Sequence, residues 1–228
     1  MPLCSEIKLF HVHNPRCAGS AINKALYNAG YLKLNSLNPK DVDLERFYGV
    51  GNIDGEKLEL DHLSISQILS RLNSKQIQNI HFFSTVRDPW DRFVSDFLRK
   101  KQRNDKRFIN PTNLDLKEYL EIFLKKIVDK ELFVRNQFDA AHFWPQEWFA
   151  EFSIHPDIKR YSILRFEELE NEWENFQYKF GFNAPLPARK INASLPESKK
   201  ISEDLKKTDL FKLFKDFYAN DYKIFGYD

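Results

Sequence analysis

The chain has 228 residues, 42% of them hydrophobic and 30% charged, with a formal net charge of +2. That length suits one domain, read as residues 1–228, with a single sizeable core, and the balance excludes a disordered chain. Near-neutral charge argues neither for nor against a nucleic-acid partner, so any anion site must come from local clustering, and no apolar run is long enough to span a bilayer. The 21 phenylalanines predict a core built on rings, and with only seven glycines each should mark a special backbone position. Cys4 and Cys17 form no disulfide framework and fit a reducing compartment. With no leader pattern after Met1, the expectation is a cytoplasmic protein.

In chain order, Ile7–His13 reads as an apolar strand, followed by a turn containing Pro15 and Gly19, then a helix over Ser20–Ala29. Residues up to about Asp61 read as a loop region. Ser64–Leu72 is predicted helical, with Ser64 and Gln67 forming a capping box. Ile80–Val86 is apolar enough to be a strand buried on both faces. It runs into Arg87-Asp88-Pro89, where Asp88 suits an N-cap and Pro89 a first helical residue. Trp90, Phe93, Val94, Phe97 and Leu98 then form a core-facing stripe, with Asp91, Arg92, Ser95 and Arg99 off it. Further helices are predicted over Leu116–Val128, Glu167–Phe180, Glu203–Lys207 and Asp209–Ala219, with a third strand at Tyr161–Phe166. Strands alternating with helices imply a mainly parallel sheet, with ligands beyond the carboxyl ends of the strands.

Two strands end in chemistry suited to anions. After the first, Arg16 supplies a permanent bidentate charge, Gly19 permits close approach and Ser20 offers a hydroxyl at a helix N-terminus. The lysine of the G-x-x-x-x-G-K-[ST] pattern is absent, and no acidic residue is evidently placed to hold a metal. Read alone, this stretch is as well explained by an ordinary turn with a solvated Arg16. After the second strand, Arg87 and Ser95 stand where both could reach one phosphate. Their plainer readings are a salt bridge to Asp88 or Asp91 and a solvated helix position.

Taken together, HVHNPRCAGSAI and FFSTVRDPWDRFVSDF resemble the sulfotransferases that use 3′-phosphoadenosine 5′-phosphosulfate (PAPS), the carbohydrate-type branch in particular. ILRFEEL, KINASL and the DYKIFGY ending resemble the same family. The resemblance implies an α/β, three-layer P-loop-type fold with a mainly parallel central sheet flanked by helices. It implies that Arg16, Cys17, Ala18, Gly19, Ser20 and Ala21 hold the 5′-phosphosulfate, and that Arg87 and Ser95 hold the 3′-phosphate. PAPS is then the donor, PAP (adenosine 3′,5′-bisphosphate) the product, and no metal is required. Arg16 stands where the family usually has lysine, and Cys17 where it has threonine.

The family's carbohydrate enzymes often carry a histidine between the two phosphate loops, where this chain has Asp61-His62. His62 is the candidate general base, oriented by Asp61 or another carboxylate, because an imidazole titrates near neutrality. The plain alternative is an exposed histidine at a helix start. His13 competes, although its position better suits packing or bracing the loop. His142 lies in a segment resembling one near the acceptor, with Phe143, Trp144 and Trp148 able to stack on a ring or simply to fill the core. Arg189 and Lys190 are candidates to close over the 3′-phosphate. The basic run Arg99–Arg107 reads as a solvated helix end, or as an attractor for an acidic glycan. The expected partner is an acceptor, a saccharide by resemblance, with no nucleic acid and no membrane insertion. Two other activities stay open: a PAPS- or PAP-binding protein weakened in catalysis by the change to Arg16, and a P-loop small-molecule kinase.

Overall fold

The computed structural model describes residues 3–4, 6–32, 50–53, 56–59, 62–130, 140–188 and 196–228. In chain order its elements are β1 (Leu3–Cys4), β2 (Leu9–Val12), α1 (Gly19–Asn28), β3 (Val50–Ile53), β4 (Glu56–Glu59), α2 (Ile65–Leu69) and α3 (Ser74–Asn79). There follow β5 (His81–Val86), α4 (Pro89–Arg103), α5 (Leu116–Val128), α6 (Glu147–Ala150), β6 (Tyr161–Arg165), α7 (Leu169–Phe180), α8 (Pro196–Leu205), α9 (Asp209–Phe217) and α10 (Ala219–Phe225). The chain forms two compact units, each from two stretches: Met1–Arg87 with Gln146–Arg189, and Asp88–Pro145 with Lys190–Asp228.

The first unit holds a four-stranded sheet in the order β1-β2-β5-β6. β1 is antiparallel to β2, whereas β2, β5 and β6 run parallel, with Leu9 opposite His81 and Val86 opposite Arg165. The mainly parallel sheet expected from sequence is therefore present. Side chains alternate between its faces. Leu9 and Phe83 pack with Ile22, Ala25 and Leu26 of α1 and Trp173 and Phe176 of α7. Phe10 and Phe82 meet each other at 5.5 Å between ring centroids, and Phe82 meets Phe152 at 6.1 Å. Both faces are buried, which is why β2 and β5 read as nearly continuous apolar runs.

Two expectations for this unit change. The strand predicted over 7–13 is confined to Leu9–Val12, because the chain turns at Lys8, with φ 53°. Within the stretch read as loop, β3 and β4 pair as an antiparallel ribbon. The signal was the Asp54-Gly55 dipeptide between them, a favoured hairpin sequence. The Ser64–Gln67 capping box forms as predicted.

The second unit is built on rings. Trp90, Phe93 and Phe97 of α4, Tyr119 and Phe123 of α5, Phe143, and Phe214, Tyr218 and Tyr222 form one buried cluster. Asp88 caps α4 by accepting from the Asp91 N–H at 2.8 Å, and Pro89 opens it, as expected. The polar face of α4 departs from expectation, since Arg92, Asp96 and Lys100 are all buried. Each has an internal partner, which is how buried charge is tolerated. Arg92 donates to the Trp144 carbonyl at 2.9 Å, Asp96 takes bonds from His142 and Tyr119, and Lys100 donates to the Arg107 carbonyl at 2.8 Å. The helix predicted over 209–219 is divided at Tyr218 into α9 and α10.

A buried histidine ties the first unit's stability to pH. His11 lies wholly inside, with Nδ1 2.7 Å from Asn23 Oδ1 and its ring stacked on Phe83 at 4.8 Å. Burial lowers its pKa from 6.5 to about 4, and burial with the Lys179 and Arg160 charges does the same to His81. The folded chain thus refuses protons that the unfolded chain takes up. Stability is full above the ordinary histidine pKa and falls as pH drops toward 4, by about 3 kcal/mol from His11 alone. A His11→Phe variant should be less stable at neutral pH, yet lose less Tm between pH 6.5 and 4 than the parent. Thermal melts across that range check it, and parallel curves would contradict it.

Candidate functional site

Parallel pairing of β2 with β5 sends both strands out at the same edge of the sheet, so the residues after Val12 and after Val86 emerge side by side. The turn after β2 holds two non-glycine residues in the left-handed region, Arg16 (φ 67°) and Ala18 (φ 66°, ψ 9°). Each such residue costs on the order of 1–3 kcal/mol, a strain that clusters at ligand sites. Turns of this kind direct successive backbone N–H groups toward one concave side. The α1 N-terminus that follows has no side-chain cap and no acid in its first turn. Among the described residues its first turn offers no acid to its partial positive charge, unlike that of α4, which carries Asp88 and Asp91. Ser20 is exposed, while Arg16, Ala18 and Ala21 are half-buried. The chemistry here fits a polyanion.

Gly19 has a steric reason beside the one its position suggested. A Cβ built on Gly19 would lie 2.0 Å from Cδ2 and 2.3 Å from Nε2 of His13. The imidazole occupies the space a side chain would need, so glycine is required by the protein's own ring, and its φ is not in the left-handed region. His13 braces the loop. Its ring meets His62 edge-on at 4.9 Å between centroids, and stacks with His11 at 5.8 Å. His62 is buried, at 8% exposure, which removes the reading of an exposed histidine at a helix start. Asp61, its suggested orienting partner, lies outside the described residues, as do Arg189 and Lys190.

Gln146 went unnoticed in the sequence. It is 0% exposed and joins the two loops. Its Nε2 donates to the Arg87 carbonyl at 2.7 Å, while the Arg87 N–H donates to Oε1 at 3.0 Å. This two-point pairing fixes which end of the amide is oxygen. Oε1 also accepts from Asn14 Nδ2 at 3.0 Å and from the Cys17 thiol at 3.3 Å. Asn14 Nδ2 donates as well to the Thr85 carbonyl at 3.1 Å. Cys17 is fully buried, its thiol 3.3 Å from Gln146 Oε1 and 3.5 Å from the Pro15 carbonyl oxygen, so only its backbone is suited to a ligand. A glutamine one residue after a proline, within an aromatic stretch, carries no pattern that would have singled it out. The Arg87 guanidinium lies 4.2 Å above the Phe166 ring, a cation–π contact that orients it.

Ser95 stands half-buried on α4 in the second unit, whereas Arg87 belongs to the first. In that unit His142 Nδ1 lies 2.8 Å from Asp96 Oδ1, and the Tyr119 hydroxyl is 3.3 Å from Asp96 Oδ2. Phe143 and Trp144 are buried, the first within the ring cluster, so they take the core role; Trp148, in the first unit, is half-buried. Part of the basic run is used internally, with Lys100 and Lys101 donating to carbonyl oxygens and Arg107 paired with Asp105 at 2.8 Å. Among the described residues, no group of three or more His, Cys, Asp or Glu is placed to hold a metal ion, and no helix is long and apolar enough to cross a membrane.

The sequence model of the Sulfotransferase family matches residues 7–228. No curated protein matches the sequence. Among solved structures, a sulfotransferase from Alicyclobacillus acidocaldarius is similar at 12% identity and a TM-score of 0.47, over 100% of this chain and 97% of that one. Because the family match takes in the turn after β2, the Arg87–Ser95 stretch and the C-terminal helices alike, this chain belongs to the sulfotransferase family and is an enzyme that transfers sulfuryl groups.

Proposed function

We propose that residues 1–228 act as one sulfotransferase domain, which moves a sulfuryl group from PAPS to a hydroxyl or amine of an acceptor, with His62 as general base. The observation that carries this reading is the run of contacts from Gly19 to His13 to His62, which sets a buried imidazole beside the anion-binding turn. A saccharide acceptor is proposed from the branch that the two motifs resemble. A chain whose two cysteines, Cys4 and Cys17, form no disulfide suits a reducing compartment, the cytoplasm being the simplest.

In this scheme the backbone from Arg16 to Ala21, with the α1 N-terminus, holds the 5′-phosphosulfate. Arg87 holds the 3′-phosphate, and Ser95 joins it on the strength of the shared motif. His62 takes the acceptor proton as the acceptor oxygen or nitrogen bonds to sulfur and the bond from sulfur to the bridging phosphate oxygen breaks. The departing group is a phosphate with a second pKa of roughly 6, so it leaves as a stable anion and needs no proton from the enzyme. What it needs is charge, which Arg16 supplies permanently. Arginine in the usual lysine position is therefore compatible with turnover, and this favours an enzyme over a protein that only binds the nucleotide.

Calorimetric titration with PAP and AMP, without metal, tests the donor site. PAP should bind at least about tenfold more tightly than AMP, and Arg87→Ala should erase that preference. His62→Ala should keep PAP affinity and lower kcat by about 10²–10⁴-fold; equal loss of binding in both variants would contradict the assignment. Arg16→Lys should stay within about tenfold of the parent kcat, whereas Arg16→Ala should lose roughly 10²–10³-fold. Binding of PAP with no turnover on any acceptor would favour the binding-protein alternative, and metal-dependent use of ATP the kinase one. Gly19→Ala should cripple donor binding, and adding His13→Ala should restore part of it by removing the ring that the new methyl meets. An additive pair of losses would show that the Gly19–His13 contact is not what constrains the loop.

A further inference from the structure

We infer that Gln146 is a positioning residue that couples the two anion-binding loops of the donor site, so that capture of the 3′-phosphate and ordering of the 5′-phosphosulfate turn depend on one carboxamide. The inference rests on the donor reading above and adds a residue to it. A donor with phosphates at both ends is read correctly only if Arg87 and the turn are held at a fixed separation. The backbone does not supply that link by itself, because β2 ends at Val12 and β5 at Val86, and Asn14, Cys17 and Arg87 all lie beyond the ladder. Gln146 supplies it with both ends of one group. Its amide is bonded to the N–H and the C=O of Arg87, which fixes the backbone from which that guanidinium projects. The same oxygen takes bonds from Asn14 and Cys17, on either side of Pro15 and Arg16. Complete burial keeps water from substituting for any of these contacts. The threonine-to-cysteine departure then acquires a function: the Cys17 thiol is a donor to Gln146 rather than a ligand to the nucleotide.

The test compares the parent, Gln146→Leu, Cys17→Ala and the double variant, by calorimetry with PAP and AMP and by steady-state kinetics. Gln146→Leu should raise the Kd for PAP and the KM for PAPS by about tenfold or more, shrink the PAP-over-AMP preference, and leave the acceptor KM unchanged. Cys17→Ala should weaken PAP binding by a smaller factor. The double variant should lose less than the product of the two, because both cut contacts to the same oxygen. A folded Gln146→Leu protein that keeps its PAP preference and PAPS KM would overturn the inference. So would a fall in kcat with every KM unchanged. If Gln146→Leu does not melt cooperatively, Cys17→Ala decides: unchanged PAP affinity overturns the coupling and weakened affinity upholds it. A parent protein with no preference for PAP over AMP would instead refute the donor reading itself.

Discussion

Two adjacent strands that run the same way must end at the same edge of their sheet, and the candidate site of this protein depends on that constraint. Leu9 to Val12 pairs in parallel with His81 to Ser84, so residues some seventy positions apart in sequence leave the sheet side by side. Neither loop has to be long to reach the other. The chain can then spend its unusual backbone geometry locally, at Arg16 and Ala18, where two left-handed residues in three shape the turn. That conformation is unfavourable for side-chain-bearing residues, and it persists because its surroundings over-determine it. Val12 accepts from Ser84 Oγ at 2.8 Å, Asn14 is bonded to Thr85, and His13 lies against Gly19.

The turn is thus held from within the protein by the side chains of Asn14, Cys17 and His13. Asn14 and Cys17 point to Gln146, and His13 fills the space over Gly19. Cys17 turns its thiol inward, within bonding distance of Gln146, and Arg16 carries a charge that a guanidinium retains across the ordinary pH range.

Much of the first unit was legible because its signals are local. An apolar run of five or six residues marked β5, and Ser64 with Gln67 marked the start of α2, just as Asp88-Pro89 marked the start of α4 in the second unit. The loops followed from the same logic, since Arg16 and Arg87 sit where strands end. What stayed hidden depends on partners distant in sequence. Arg92, Asp96 and Lys100 lie on the helix face that pattern assigns to solvent, and only the carbonyls and rings they meet explain their burial. Gly19 could be read from sequence only as room for a ligand, whereas the structure adds a second constraint on it, the ring of His13 six positions earlier. Gln146 gave no signal at all, because a glutamine's role is written in its hydrogen bonds and not in its neighbours.

The first unit is assembled from two stretches of chain separated by residues 88–145, and this orders events during synthesis. A ribosome that has released residues through Val86 has made β2, α1 and β5, which can pair at once. Gln146, however, is 132 residues beyond Asn14 and 59 beyond Arg87. The nascent chain must extrude the whole intervening segment before the carboxamide that fastens the two loops exists, and β6 follows it still later. Contacts of such long separation are slow to close. The turn at Arg16 and Ala18 therefore gains this fastening only after the first stretch of the second unit, residues 88–145, has been made.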